Sequence, residues 1–254
     1  MKHHFIISYA GNKRQEVEHL HDYLVDKLDG IDTIIEPFCG TSAMSVSLSM
    51  KYPKRFKYII NDYDEKLIEL YHIMNDEDKL KRFTDEFNEK VKLIVDKEAY
   101  NSIIKDGSLM GWFIARKIYQ IRAGLYPIRD TAYKKKMYDF NDLPIIKFLR
   151  TENVDIRRGD GTDIVKRYQD DVNCLLLVDP PYIMSCNLFY TSKETNTYEY
   201  CVDVGLGNMK SMVVLVLEDN WIIRLMFKEF IKNSYAKTYM SKHKKTTHII
   251  ISNK

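Results

Sequence analysis

Apolar positions fall into two patterns along this chain. Val17, Leu20, Leu24 and Leu28 recur at the spacing of one helix face, which predicts a helix between Gln15 and Leu28. Thr33-Ile34-Ile35 is instead an unbroken run that reads as a short buried strand, and it enters a turn of small residues, Pro37-Phe38-Cys39-Gly40-Thr41-Ser42. A helix is predicted from Ala43 to Met50. Tyr58-Ile59-Ile60 repeats the strand signal and stops at Asn61-Asp62, and Glu65 to Met74 returns to helical spacing. Strand and helix in alternation predict a parallel sheet and an α/β fold.

The middle of the chain breaks this rhythm. After Asn75 comes charged helical sequence, then the basic and aromatic stretch GWFIARKIYQIRAGLYPIRDTAYKKK. The core pattern resumes near Asn153. Cys174-Leu175-Leu176-Leu177-Val178 is the clearest buried strand, Val213 to Leu217 is another, and His248-Ile249-Ile250-Ile251 is a plausible last one. The expected organisation is a discontinuous core, residues 1–75 and 152–254, interrupted by a mostly helical insert at 76–151.

Chemistry enters at the end of the clearest strand, where Asp179-Pro180-Pro181-Tyr182 follows Val178 directly. Ligands of open parallel sheets bind beyond the carboxyl ends of the strands. A planar aromatic amine such as adenine N6 is a poor nucleophile, because its lone pair is delocalised into the ring. Two acceptors aimed at its N–H bonds favour pyramidal nitrogen and stabilise the positive charge that develops on methyl transfer. Asp179 offers a carboxylate, Pro180 a carbonyl whose direction the prolines restrict, and Tyr182 a face on which an extruded base can stack.

Composition narrows the class without naming it. The chain has 254 residues, 45% hydrophobic and 30% charged, with a formal charge of +3, which is ordinary for a globular protein. The four cysteines, Cys39, Cys174, Cys186 and Cys201, form no CxxC pair, so no metal site is expected. The start MKHHFIISYAG has too short an apolar run for a secretory signal, and no stretch has transmembrane length. An intracellular protein with reduced thiols is the expectation.

The Asp-Pro-Pro-Tyr tetrapeptide resembles the signature of amino-group DNA methyltransferases, and the chain as a whole is similar to the Dam-type, or D12, adenine-N6 family. Five further segments carry the resemblance in order. Tyr9-Ala10-Gly11-Asn12-Lys13 is similar to a cofactor-contacting segment, which gives Tyr9 and Lys13 that role. Glu36-Pro37-Phe38-Cys39-Gly40-Thr41-Ser42-Ala43 resembles the family's acidic-x-Phe-x-Gly-x-Gly loop, with Ser42 where a second glycine is usual. The resemblance places Glu36, Phe38, Gly40 and Ser42 at the methionine portion of S-adenosylmethionine, Glu36 accepting from its ammonium. Asp62 matches the ribose-binding acid. Asp160 matches an acid near the cofactor adenine amine, although Gly161 stands where phenylalanine is common. The Lys-rich turn and last strand, Lys242 to Ile251, has His248 where an acid is usual.

The resemblance implies a Rossmann-like S-adenosylmethionine-dependent core, catalytic residues Asp179, Pro180, Pro181 and Tyr182 with Asp179 also facing the cofactor, double-stranded DNA as partner, and a restriction-modification setting with a cognate restriction nuclease. It implies no metal and no membrane. From Arg116 to Lys136 seven basic residues face one acid, Asp130, with tyrosines interleaved, which suits phosphate neutralisation and base reading. Arg116, Lys117, Arg122, Arg129, Lys134 and Lys135 are the candidate DNA contacts. Rival readings are another planar amine (cytosine N4, an RNA adenine, a glutamine side chain) and a degenerate relative that binds nucleic acid or a partner without catalysis. Cytosine enzymes tend to begin the tetrapeptide with serine and glutamine enzymes with asparagine, so Asp179 favours adenine.

Overall fold

The computed structural model describes residues 6–7, 16–117, 138–180, 197–239 and 244–254. Its described strands are β1 (Thr33–Glu36), β2 (Lys57–Asp62), β3 (Asn153–Arg158), β4 (Cys174–Val178), β5 (Met212–Glu218), β6 (Ile231–Tyr239) and β7 (Lys244–Ser252). They form one sheet in the order β3-β2-β1-β4-β5-β7-β6. β1 to β5 run parallel, whereas β7 is antiparallel to both β5 and β6. This is the expected α/β, Rossmann-like core.

Side-chain alternation divides the core between the two sheet faces. Ile34, Tyr58, Ile60, Leu175, Leu177, Val214, Val216 and Ile250 pack on one side under α1 (Val17–Leu24), α2 (Ala43–Lys51) and α3 (Glu65–Asn75). Ile35, Ile59, Leu176, Val178, Val213, Leu215, Ile249 and Ile251 pack on the other with Val165 of α8 (Gly161–Tyr168), Tyr198 and Cys201 of α9 (Thr197–Asp203) and Ile223 of α10 (Trp221–Met226). β4 is apolar at every position because both of its faces are covered. Edge strands differ. β3 (NVDIRR) has no fully buried residue, and β6 (IKNSYAKTY) interrupts its apolar and aromatic residues with lysine, asparagine, serine and threonine.

The middle segment is helical where it is described: α4 (Glu77–Lys92), α5 (Lys97–Ile104), α6 (Leu109–Lys117) and α7 (Pro144–Thr151). The side chains of Asp76 and Asp96 cap α4 and α5 by accepting from Lys79 and Ala99 N–H. Phe83 and Phe87 meet the edge of Phe113 at 4.9 and 5.1 Å between ring centroids. These helices bury their apolar faces in the same cluster as the first sheet face, and Phe148 of α7 packs edge-on against Tyr58 of β2 at 4.9 Å. The segment thus extends the core among the described residues.

Candidate active site

From β1 the chain crosses outward to β2 and β3, and from β4 it crosses the opposite way to β5. The strand ends on either side of this reversal flank the crevice where doubly wound sheets hold ligands. Glu36 ends β1, Asp62 ends β2, Asp160 follows β3, and Asp179 and Pro180 follow β4. Sequence positions up to 144 residues apart are thereby collected at one edge.

Glu36 is 1% exposed. Its carboxyl Oε2 accepts from the Ser45 N–H of α2 at 3.4 Å. Burial pushes its pKa up to about 8, against the pull of Ser45 and with Asp179 adding to the rise. Glu36 is therefore largely uncharged at neutral pH until a cation arrives.

The loop after β1 is held by its neighbours. Cys39 N–H donates to the Asn61 carbonyl at 2.8 Å, and Gly40 N–H donates to Asp62 Oδ2 at 2.9 Å. Gly40 and Ser42 both lie in the left-handed region, φ 49° and 47°. A side chain there costs on the order of 1–2 kcal/mol, which accounts for the glycine usual in the resembling loop. Tyr71 of α3 offsets this strain: its hydroxyl donates to the Gly40 carbonyl at 2.9 Å and lies 2.9 Å from Ser42 Oγ. Tyr71→Phe should lower stability by roughly 1–3 kcal/mol, since buried polar groups lose a partner, and should weaken cofactor binding. Denaturant melts and calorimetry with S-adenosylhomocysteine measure both. No change in either would mean that the loop is held by other means.

Asp62 is not a helix cap. Asp64 caps α3, its carboxylate accepting from Lys66 and Leu67 N–H. Asp62 instead accepts from Gly40 N–H and, at 3.0 Å, from Asp64 N–H. Burial raises its pKa, and those two N–H groups oppose the rise. Asp160 is exposed and caps α8 through Thr162 N–H at 2.7 Å. Phe38 is half-buried, with its ring against Gly161: a Cβ there would lie 2.4 Å from Phe38 Cε1 and Cζ. Asp179 is half-buried and Pro180 buried.

Pro181, Tyr182, Tyr9, Lys13, Arg122, Arg129, Lys134 and Lys135 lie outside the described residues. Arg116 stacks on Trp112, 4.1 Å from the ring centroid. Lys117 Nζ donates to the Ile6 carbonyl at 2.9 Å and lies over Tyr138 and Phe140. Both basic groups are therefore engaged within the fold. The His248 departure sits in a buried charged cluster: Glu16, at the start of α1, pairs with Lys237 of β6, and His248 Nδ1 is 3.9 Å from Glu16 Oε1. That cluster ties α1 to the β6–β7 hairpin.

Sequence reasoning missed Asn61 and Tyr71 as supports. Asn61 is fully buried, and its Nδ2 donates to the carbonyls of Pro37 at 2.9 Å and Gly159 at 3.0 Å, joining the loops after β1 and β3. An amide closing the apolar run Tyr58-Ile59-Ile60 was the available signal. Burial, with Asp62 and Glu36 nearby, raises the Cys39 thiol well above its ordinary value, so it is a protonated packing group and no nucleophile. Among the described residues no three His, Cys, Asp or Glu side chains converge as a metal site, and no helix is long and apolar enough to cross a membrane.

The family model of the D12 class N6 adenine-specific DNA methyltransferases matches residues 9–105. The match takes in the Glu36–Ser42 loop and Asp62 and ends before Asp160 and Asp179. No curated protein matches. Among solved structures, the chain is similar to the rRNA methyltransferase aviRa of Streptomyces viridochromogenes at 10% identity, with 98% of this chain and 89% of that one covered and a TM-score of 0.43. It is similar to lmo1582 of Listeria monocytogenes, provisionally assigned to the class I S-adenosylmethionine-dependent methyltransferases, at 12% identity and TM-score 0.42; 94% of this chain is covered but only 58% of the longer Listeria chain. The N-terminal domain of human METTL16 in complex with SAH aligns at 9% identity, covering 94% and 68%, with a TM-score of 0.34. The matched segment and the sheet edge together support a methyltransferase core that uses S-adenosylmethionine.

Proposed function

We propose that this protein transfers a methyl group from S-adenosylmethionine to the N6 amine of an adenine extruded from double-stranded DNA. The observation that carries the reading is the position of Asp179 and Pro180: they directly follow β4 at the reversal of strand order, beside Glu36 at the end of β1, with only β1 between β4 and the strand that ends at Asp62. A methyl donor and an amine acceptor can meet only where both sets of residues face one crevice.

In this reading the residues present fit the cofactor. Buried Glu36 accepts from the methionine ammonium, the turn of Gly40 and Ser42 lets backbone approach the methionine portion, and Asp62 binds the ribose hydroxyls. Tyr9, Lys13 and Asp160 complete the contacts. The cofactor supplies an electrophilic methyl on sulfonium sulfur. Asp179 and the Pro180 carbonyl accept the two N–H bonds of the target amine and steer its lone pair toward that methyl, while Pro181 fixes the turn and Tyr182 stacks on the base. Residues 76–151 serve target recognition through Arg122, Arg129, Lys134 and Lys135, with Arg116 and Lys117, engaged within the fold, supporting the base of that segment.

The test is incubation of the purified protein with tritiated S-adenosylmethionine and, separately, unmethylated duplex DNA and RNA, followed by nucleoside chromatography. Label in N6-methyldeoxyadenosine is expected. Label in RNA adenine or in cytosine would replace the substrate, and cofactor binding without transfer to any of them would favour a degenerate binding protein.

A further inference from the structure

Trp221 and Leu225 are the two most exposed large apolar side chains among the described residues, at 74% and 73%. Single exposed apolar residues are ordinary, but these two stand four positions apart on α10 and share one face of it. The helix that carries them is fixed. Ile223 and, just past its end, Phe227 are 2% and 1% exposed in the second core face. The side chain of Asn220 caps α10 by accepting from Ile223 N–H at 3.0 Å. Both carboxylate oxygens of Asp219 accept from Arg224 at 2.7 Å, and Asp219 N–H donates to the Thr247 carbonyl at 2.8 Å. Trp221 therefore cannot turn inward without breaking these ties.

Topology puts this ridge at the edge that holds Asp179. β5 runs parallel beside β4, so α10, which begins three residues after Glu218, starts at the same carboxyl edge. β7 returns antiparallel, with His248 opposite Glu218. Its first residues, Lys244 to Thr247, thus extend past the end of β5 toward that edge, and Lys244 and Lys245 lie there beside the start of α10. Exposed Lys228 follows Leu225 by three positions. An apolar ridge bordered by lysines matches the chemistry of a duplex from which a base has left: flat apolar base faces bordered by phosphates. It is a poor match for a second copy of the chain, since a stable interface engages roughly 20–30 residues a side. We propose that Trp221, backed by Leu225, packs against the target duplex at the mouth of the crevice, its ring stacking on a base uncovered when the adenine leaves the helix, while Lys228, Lys244 and Lys245 meet the flanking phosphates. The proposal rests on the DNA reading above.

Trp112 and Trp221 are the two tryptophans of the chain, so Trp112→Phe, which keeps a ring beneath Arg116, leaves Trp221 as a lone reporter. Short unmethylated duplexes of mixed sequence, titrated at low salt, should quench its emission and shield it from acrylamide. In the otherwise native chain, Trp221→Ala should weaken duplex affinity by roughly five- to a hundredfold, the range of one base–aromatic stack, and Trp221→Phe should recover much of it. S-adenosylhomocysteine affinity, measured by calorimetry, should stay at the wild-type value in both, which also checks the fold. Unchanged Trp221 emission with duplex bound, or wild-type affinity in Trp221→Ala, would overturn the proposal and leave the methyltransferase reading standing. So would sedimentation showing a wild-type dimer that Trp221→Ala dissociates, which would assign the ridge to a second copy. A wild type that binds S-adenosylhomocysteine but no duplex would sink the DNA reading and this proposal together.

Discussion

Asp179→Ala is expected to remove methyl transfer to DNA while leaving cofactor affinity largely intact. The carboxylate's proposed work is done only as charge develops on the amine, so its loss falls on turnover. Removal of a single stabilising group of this kind costs on the order of 10²–10³-fold in rate, and here the same side chain also orients the nucleophile, so the loss should reach the upper end or beyond. Asp179→Asn keeps one acceptor oxygen but adds donors that oppose the amine N–H bonds, and it should recover little. The variant carries an internal check. Asp179 is one of the charges that raise the Glu36 pKa, so removing it should lower the pH at which Glu36 ionises. Retained turnover in Asp179→Ala, measured by tritium transfer under single-turnover conditions, would end the assignment of this residue.

The interior of the fold was legible because buried strands have a simple signature. β4 and β5 are apolar over nearly all of their length, β1, β2 and β7 each carry an unbroken apolar run, and all five stand in the middle of the sheet. The two strands without a clear signal, β3 and β6, are the two edges. An edge strand has solvent beside it and tolerates arginine, lysine and asparagine, so it produces no apolar run. At the site, residues whose chemistry follows from side-chain type and strand-end position, Asp179, Asp62 and Glu36, could be named in advance. The supports could not. Tyr71 is 29 residues from Ser42 in sequence, and a tyrosine on a helix usually reports only packing. The meeting of Phe38 with Gly161 depends on how far one loop leans over another strand, which no local pattern encodes. The departures at Ser42 and Gly161 read as defects in sequence, whereas in three dimensions each is matched by an aromatic partner, Tyr71 or Phe38.

Glu36 should leave a pH signature in both stability and binding. Its carboxyl ionises near 4.5 in the unfolded chain and at about 8 in the fold, so between those values the native state holds more protons than the unfolded one. Stability linked to this group is therefore greatest below pH 4.5, declines as pH rises by at most about 1.4 kcal/mol per pH unit, and levels off above pH 8. Asp62, also raised by burial, slopes in the same sense at lower pH, and His21, lowered by burial, slopes the opposite way near its own midpoint. The difference between wild type and Glu36→Gln isolates Glu36 from both, and Gln should gain relative stability steadily from pH 5.5 to 8. A cofactor ammonium beside this carboxyl reverses the preference for the neutral form. Binding between pH 5.5 and 7, where the ligand amine stays protonated, should then release close to one proton, seen as a dependence of the calorimetric enthalpy on the buffer's heat of ionisation. The release should vanish in Glu36→Gln, along with much of the affinity. Equal enthalpies in phosphate and Tris for the wild type would mean that the ammonium does not approach Glu36, and the methionine end of the cofactor would have to be placed elsewhere along the β1 loop.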